Sequence, residues 1–379
     1  MSIDIQDVCS EKINRTKTIT LALTEACNLN CIYCYETNKS KKQMTFDTAK
    51  KILEREFTNA DISQEFYIEF FGGEPFLAFG LMQDIVKFVK TSYPTGKYHF
   101  FATTNGTLIH NEIQKWLIEN IDCITVGLSL DGTKAMHDFN RSNSYDSIDL
   151  DFFKANYPRQ GVKMTISAET LPSLCEGIVF IHNLGFQCHC NLAYGIDWSC
   201  KSSQTVLEEQ LYKLIDYYLS HPNIKPCSML DEPISYIGYE EINTTIPKWC
   251  GVSTHMSAYS VDGNHYPCQF FMPVSIGKEN ALKAKKIEFC SDIAVENLDE
   301  KCKTCVVQSI CPTCYGSNYL STGNIYSKDD NLCKLTKIIL RARSYFMAKQ
   351  YEAGNLKLTQ LEEQALIRSI LKIQNQLNI

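Results

Sequence analysis

The sequence predicts an α/β fold: a partial parallel barrel of six βα units, (β/α)6, followed by a cysteine-rich carboxyl-terminal domain. Two observations predict it. Through the first two-thirds of the chain, short β-rich or apolar runs alternate with helical segments, the mark of parallel βαβ units. From Cys250 onward the composition shifts to closely spaced cysteines with Gly263 and Pro267 at turns. The size agrees, since 379 residues, 44% hydrophobic and 21% charged, can bury one large domain and a smaller one.

The elements follow in order. Thr18 to Leu23 reads as the first strand, and Phe46 to Phe57 as a helix capped by Thr45. Phe66 to Phe71 is a buried strand, Leu77 to Thr91 a helix, His99 to Thr103 a strand, Glu112 to Glu119 a helix and Cys123 to Leu130 a strand. Lys163 to Ala168 and Gln187 to Leu192 continue the strands, with Leu174 to Asn183 helical between them. The expected organisation is a barrel over 1–220, a linker over 221–249, a cysteine-rich domain over 250–335 and a helical tail over 336–379. In the tail, Leu366, Ile370, Ile373 and Leu377 form one helical stripe, expected to dock on its own domain.

Composition narrows the setting. The net charge of -6, without a Lys/Arg-dense block, argues against a nucleic-acid groove. Met1 to Asn14 has no apolar core of a secretory signal, and no apolar run approaches the length of a membrane span. A soluble, cytoplasmic protein is expected. In that compartment its eighteen cysteines are metal ligands or reduced thiols rather than disulfides.

Cys27, Cys31 and Cys34 form a C-x3-C-x2-C pattern directly after the first strand. Iron–sulfur clusters are held by cysteine thiolates, usually four. Three on one loop leave a fourth iron open to a small molecule, and in parallel barrels active groups sit at the carboxyl ends of strands. A zinc loop is the alternative, but structural zinc takes four closed ligands. Tyr33 offers an aromatic face for adenine. After the second strand, Gly72-Gly73-Glu74-Pro75 permits close backbone approach to a ligand and points the Glu74 carboxylate where an ammonium could sit. The third strand ends at Asn105, in a stretch that reads equally as a turn. Ser129 and Asp131 lie on one side of the fourth strand's end, suited to two ribose hydroxyls. Arg141 offers a fork for a carboxylate. His137 reads as structural, and Leu192 as core or as a contact for adenine.

The triad, the GGEP turn and the stretch Ser129 to Arg141 resemble the radical S-adenosylmethionine enzymes. The resemblance implies a [4Fe-4S] cluster on Cys27, Cys31 and Cys34 that reductively cleaves S-adenosylmethionine. The resulting 5′-deoxyadenosyl radical abstracts a hydrogen from a peptide carbon. Tyr33, Gly72, Gly73, Glu74, Asn105, Ser129, Asp131, Arg141 and Leu192 are the implied cofactor contacts. The carboxyl-terminal cysteines resemble the SPASM extension of ribosomal-peptide maturases, with one residue fewer between Cys311 and Cys314 than is usual. Cys302, Cys305, Cys311 and Cys333 would close one auxiliary cluster, and Cys250, Cys268 and Cys314 would hold another, three clusters in all. A pair of zinc ribbons is the alternative reading of these cysteines.

Two departures from the sulfatase-maturating members bear on chemistry. A further cysteine of those enzymes falls here on Met256, so the nearer auxiliary cluster is left with an open iron unless Cys290 fills it. Their catalytic Asp falls on Gln269, and an amide is no base at neutral pH. The expected reaction is a Cys thioether crosslink in a precursor peptide; a carbon–carbon crosslink and formylglycine formation are the alternatives. A non-catalytic iron–sulfur or zinc module would not need the open triad. An electron donor such as flavodoxin or ferredoxin is implied. The stretch before the first strand is too short for a leader-binding domain, which points to a separate leader-binding protein. Cys9, Cys123, Cys175, Cys188, Cys190, Cys200 and Cys227 read as structural.

Overall fold

The computed structural model describes residues 16–60, 64–239, 245–247, 250–290 and 292–377. Cys9 and the segment Met1 to Asn14 lie outside them. The described strands are β1 (Thr16–Thr24), β2 (Glu65–Gly72), β3 (Lys97–Thr104), β4 (Ile124–Ser129), β5 (Val162–Ile166) and β6 (Cys188–Leu192), followed by four short ones. Those are β7 (Thr245–Pro247), β8 (Met256–Tyr259), β9 (His265–Tyr266) and β10 (Asp292–Ala294). The chain forms two compact units: one of residues 1–129, 141–160 and 250–290, the other of 130–140, 161–249 and 291–379.

In the first unit β1, β2, β3 and β4 are parallel neighbours in that order. Helices Phe46–Thr58, Phe79–Ser92 and Asn111–Glu119 return the chain between them. One face of these strands is apolar and buried: Ile19, Leu21, Leu23, Ile68, Phe70, Phe100 and Val126 are all buried, at alternate positions along each strand, while Tyr67 on the other face of β2 is 40% exposed. Thr45 caps the first helix, its hydroxyl accepting from Thr48 N at 3.2 Å. The helix expected from Leu77 instead opens with a 3-10 turn, Pro75–Ala78, before Phe79–Ser92. Pro75 suits that first turn, and the Glu74 side chain caps it by accepting from Phe76 N.

The chain re-enters this unit after its composition has turned cysteine-rich. β8 pairs parallel with β1, Thr18 opposite Met256, and β9 pairs antiparallel with β8. Buried Glu56 fastens the added strand. It accepts from Lys17 Nζ on β1 at 2.6 Å and from the Tyr259 hydroxyl on β8. Burial works against its charge, but these donors hold its carboxyl below the usual range.

The second unit holds β5 and β6 as a parallel pair and β7 and β10 as an antiparallel pair. In β6, Cys188 and Cys190 are buried on one face while His189 and Asn191 face outward, as the alternation predicts. The remainder is helical, dominated by Ser202–Ser220, Asp330–Glu352 and Gln360–Leu377. The tail stripe docks on its own unit: Leu366 and Ile373 are buried with Ile234, Ile237, Val307, Ile310 and Leu340, and Ile370 and Leu377 pack at the margin. No helix among the described residues is long and apolar enough to cross a membrane.

This packing distinguishes two neighbouring residues. Ile373→Ala removes a wholly buried side chain and should lower unfolding stability by about 2–5 kcal/mol. Leu371→Ala, at a side chain 52% exposed, should stay within about 0.5 kcal/mol of the parent. Urea denaturation of the two variants measures the difference.

Candidate active site

The cysteine loop begins where β1 ends. Thr24 Oγ1 donates to Lys42 O and accepts from Ala26 N, each at 3.1 Å, which turns the chain out of the sheet. Leu29 N then donates to Cys27 Sγ at 3.4 Å, and Cys34 N to Cys31 O at 3.1 Å. The three thiols are half-buried on this short loop. Burial pushes the Cys27 thiol up, and Lys39 works against that shift. Burial in turn opposes the Lys39 ammonium, yet Cys34 and Cys27 beside it hold its pKa above the ordinary value. Lys39 is a residue the sequence reading missed; nothing in its spacing marks it.

The glycine pair after β2 answers to this loop. Gly73 N donates to Thr24 O at 3.2 Å and Glu74 N to Ala26 O at 2.9 Å. A Cβ on Gly72 would lie 2.3 Å from Thr24 O, and one on Gly73 would lie 2.4 Å from Ala26 O and 2.8 Å from Cys27 Cβ. The close approach that the sequence attributed to a ligand is thus made first by the chain's own cysteine loop.

Glu74 departs from expectation in the same way. Its carboxylate is buried and accepts from Thr104 Oγ1 at 2.8 Å, Asn105 N at 2.8 Å and Phe76 N at 3.2 Å. Burial pushes its carboxyl up to about 7, against these three donors and the charge of Arg141. Asn105 is equally engaged: its amide donates to Asn28 Oδ1 at 2.9 Å, and its Oδ1 accepts from Thr107 N and Oγ1. Asn28 Nδ2 donates to Thr107 Oγ1 at 2.8 Å, so the end of β3 is tied to the cysteine loop.

Tyr33 and Arg141, expected at different ends of a cofactor, are brought together. The Arg141 guanidinium lies 5.5 Å from the Tyr33 ring centre, within cation–π range, and Arg141 is largely buried. Ser129 is buried at the end of β4.

In the second unit, Asp131 is wholly buried. It accepts from Thr165 N at 2.9 Å and from Asn140 Nδ2 at 3.2 Å, so its carboxylate organises the chain rather than facing solvent. His137 is structural, as expected: it is buried, and its Nδ1 accepts from Asp131 N at 3.2 Å. Leu192 is buried at the end of β6.

The carboxyl-terminal cysteines separate. Cys302, Cys305, Cys311 and Cys333 line one cavity of about 80 Å3 in the second unit. Burial, then Cys311, Cys333 and Cys305, push the Cys302 thiol up to about 11. Burial also raises Cys311, as do Cys333 and Cys305, while Lys328 opposes. Cys302 and Cys311 thus resist ionising alone, and a bound metal centre removes that resistance by displacing their protons. The donor set therefore fits a closed iron–sulfur cluster. Among the described residues, no three His, Cys, Asp or Glu side chains converge tightly enough for a single metal ion. A cluster of several irons holds its sulfurs farther apart than one ion does. Cys314 caps helix Tyr315–Thr322 in the second unit, its sulfur accepting from Ser317 N at 3.5 Å. Cys250, Cys268 and Cys290 belong to the first unit, with Cys250 and Cys290 exposed.

The Gly73 contact is testable. Gly73→Ala should destabilise the chain by about 1–3 kcal/mol and lower the iron retained by the triad, because the obstacle is backbone. Gly80→Ala, where a Cβ meets nothing within 4 Å, should leave iron content unchanged. Thermal denaturation and iron analysis of anaerobically reconstituted protein compare the two.

Known proteins resemble this arrangement. The profile of a 4Fe-4S single cluster domain matches residues 17–146. A cysteine-type anaerobic sulfatase-maturating enzyme of Clostridium novyi is 34% identical over 137 residues, 32% of this chain and 35% of that one. The radical SAM cyclopropyl synthase TigE of Paramaledivibacter caminithermalis is 24% identical over 385 residues, 87% of this chain and 75% of that one. The solved structure of anSMEcpe with bound AdoMet and Cp18Cys peptide matches 90% of this chain and 100% of its own, with a TM-score of 0.68 and 19% identity, a likeness of fold. The chain spans 61% of the length of one curated relative that it matches and about a third of two others. Together with the cysteine loop after β1 and the glycine pair pressed against it, these matches make the chain similar to radical S-adenosylmethionine enzymes: in sequence over its 4Fe-4S domain, and in fold over most of its length.

Proposed function

We propose that the chain is a radical S-adenosylmethionine maturase of a ribosomally made precursor peptide, and that it joins a cysteine sulfur of that peptide to one of its carbons. The observation that carries the choice of bond is Gln269. It stands where sulfatase-maturating enzymes have their Asp base, and its Oε1 is buried with no hydrogen-bond partner among the described residues. An amide there cannot take the substrate's proton. Met256, in β8, stands where those enzymes have a further cysteine. Both departures favour activation of a thiol by an open iron over activation by a side-chain base.

In this reading Cys27, Cys31 and Cys34 hold the catalytic cluster, and Gly72 and Gly73 set the wall beside it. Tyr33, Ser129 and Arg141 frame S-adenosylmethionine, while Glu74, Asn105 and Asp131 fix the loops that carry those contacts. Cys302, Cys305, Cys311 and Cys333 hold one auxiliary cluster, and Cys250 and Cys268 contribute to another. When bound, the cluster and S-adenosylmethionine supply hydrogen-atom abstraction from an unactivated carbon; orientation of that C–H bond is the protein's share. The crosslink would remove two hydrogens from the peptide: the carbon's as an atom, taken up by the 5′-deoxyadenosyl group, and the thiol's as a proton, with the one remaining electron passing to an auxiliary cluster. A flavodoxin or ferredoxin as electron donor and a separate leader-binding protein complete the proposed set of partners.

The second reading is formylglycine formation. It is favoured by the 34% identity to the Clostridium novyi enzyme and by the fold shared with anSMEcpe.

Replacing Cys27, Cys31 and Cys34 together by Ala should abolish 5′-deoxyadenosine production from S-adenosylmethionine under reducing conditions. The auxiliary iron should remain. Full retention of 5′-deoxyadenosine in that variant would remove the radical assignment.

The bond itself is read by high-resolution mass spectrometry of the modified precursor. The expected product is two hydrogens lighter per crosslink and has lost one iodoacetamide-reactive cysteine for each. Gln269→Asp should not create formylglycine on a sulfatase peptide. Formylglycine made efficiently by the unsubstituted protein would favour the second reading, and a product whose cysteines all remain alkylatable would point to a carbon–carbon bond.

A further inference from the structure

Three lysines, Lys301, Lys328 and Lys337, also line the cavity of Cys302, Cys305, Cys311 and Cys333, and neither the family likeness nor the sequence accounts for them. Lys328 is 7% exposed, and its side chain enters this cavity. Its Nζ lies 2.7 Å from Pro312 O, 2.9 Å from Thr336 Oγ1 and 3.8 Å from Cys311 Sγ. A lysine ammonium has three donors and no acceptor, so these three contacts use all of it. Thr336 is held in the accepting role because its own proton goes to Leu332 O at 2.7 Å. The Lys328 backbone is pinned too, its carbonyl accepting from Lys301 Nζ.

No carboxylate is among the three acceptors of Lys328. Among the described residues its buried ammonium forms no ion pair with a carboxylate, an arrangement that ordinarily costs several kcal/mol. A cluster ligated by four thiolates is an anion, and it would sit where the ammonium points.

We propose that Lys328 is a positioning residue for the iron–sulfur cluster of Cys302, Cys305, Cys311 and Cys333: it donates to the Cys311 sulfur and sets a fixed positive charge there that favours the reduced cluster. This rests on the four-cysteine assignment proposed above. The electrostatic reason is direct. Reduction adds one negative charge to the cluster, and a cation held in a low-dielectric cavity stabilises the more negative state more strongly.

The test uses the full chain carrying Cys27→Ala, Cys31→Ala and Cys34→Ala, reconstituted anaerobically with iron and sulfide. An EPR-monitored redox titration then reads only the carboxyl-terminal clusters, and the relevant signal is the one lost in Cys333→Ala. In Lys328→Met the one-electron equilibrium should shift at least tenfold toward the oxidised form, a midpoint lower by about 59 mV or more. Lys328→Arg, which keeps the charge, should recover most of that shift. A Lys328→Met protein that keeps its iron and its midpoint overturns the proposal. If Lys328→Met loses its iron, protein with native Lys328, labelled with 15N-lysine, decides. A 15N coupling to the reduced cluster in pulsed EPR supports the contact, and its absence overturns it. A parent protein that binds no iron at the four cysteines overturns the cluster assignment and the proposal with it. Iron content alone separates that failure from a failure of Lys328.

Discussion

The contact on which the candidate site depends is between two stretches of backbone. Thr24 to Cys27 leaves β1 and crosses directly over Gly72 and Gly73 at the end of β2, with two amides donating across the gap. β1 and β2 are parallel neighbours, so their carboxyl ends emerge side by side, and whatever follows one must pass the other. Only residues without a Cβ let the two turns nest at this distance. Once they do, the rest is positioned from that point: Glu74 turns inward and collects the end of β3, and Asn105 reaches back to Asn28 on the cysteine loop. The three cysteines are thereby presented by a loop whose neighbours are fixed on both sides.

Buried charge is handled alike in both cysteine nests. Burial raises the Cys27, Cys302 and Cys311 thiols, and in each nest a lysine lies against a sulfur. Lys39 lies against Cys34 and Cys27, and Lys328 against Cys311. A cation placed in this way lowers the cost of gathering several thiolates before any metal centre arrives.

What could be read from the sequence was what is local. The strands β1 to β6 and most of the helices between them follow from periodicity and capping, as with Thr45, and came within a few residues of their true ends. The cysteine triad is one short run, and the alternation that buries Cys188 and Cys190 on one face is a two-residue pattern. Long-range partners could not be read. Nothing near Gly73 says that the backbone it must accommodate lies at Ala26. Nothing near Asp131 says that its carboxylate is taken by Thr165 N, so a residue offered to a ribose is occupied inside the protein. The last two residues of the 3-10 turn, Leu77 and Ala78, read as the start of the following helix because the pattern of apolar residues does not change there, only the hydrogen bonding. Lys39 and Lys328 escaped notice for a related reason: a lysine in a loop looks like a solvated charge until the fold shows what surrounds it.

β1 carries the cysteine loop, and its partner on one side is made late. β8 pairs with it through Thr18 and Met256, which lie 238 residues apart (256 minus 18). While the chain is being synthesised, β2 can reach β1 early, but the opposite edge of β1 has unpaired amides and carbonyls until β8 has left the ribosome. An apolar strand with one bare edge is a template for pairing with another chain. The nascent protein thus passes through a long interval in which the strand that will present its cysteine loop is open to misassociation. Burden on the cell's folding helpers, and sensitivity to the rate of translation through the middle of the message, are consequences of where Met256 falls in the sequence.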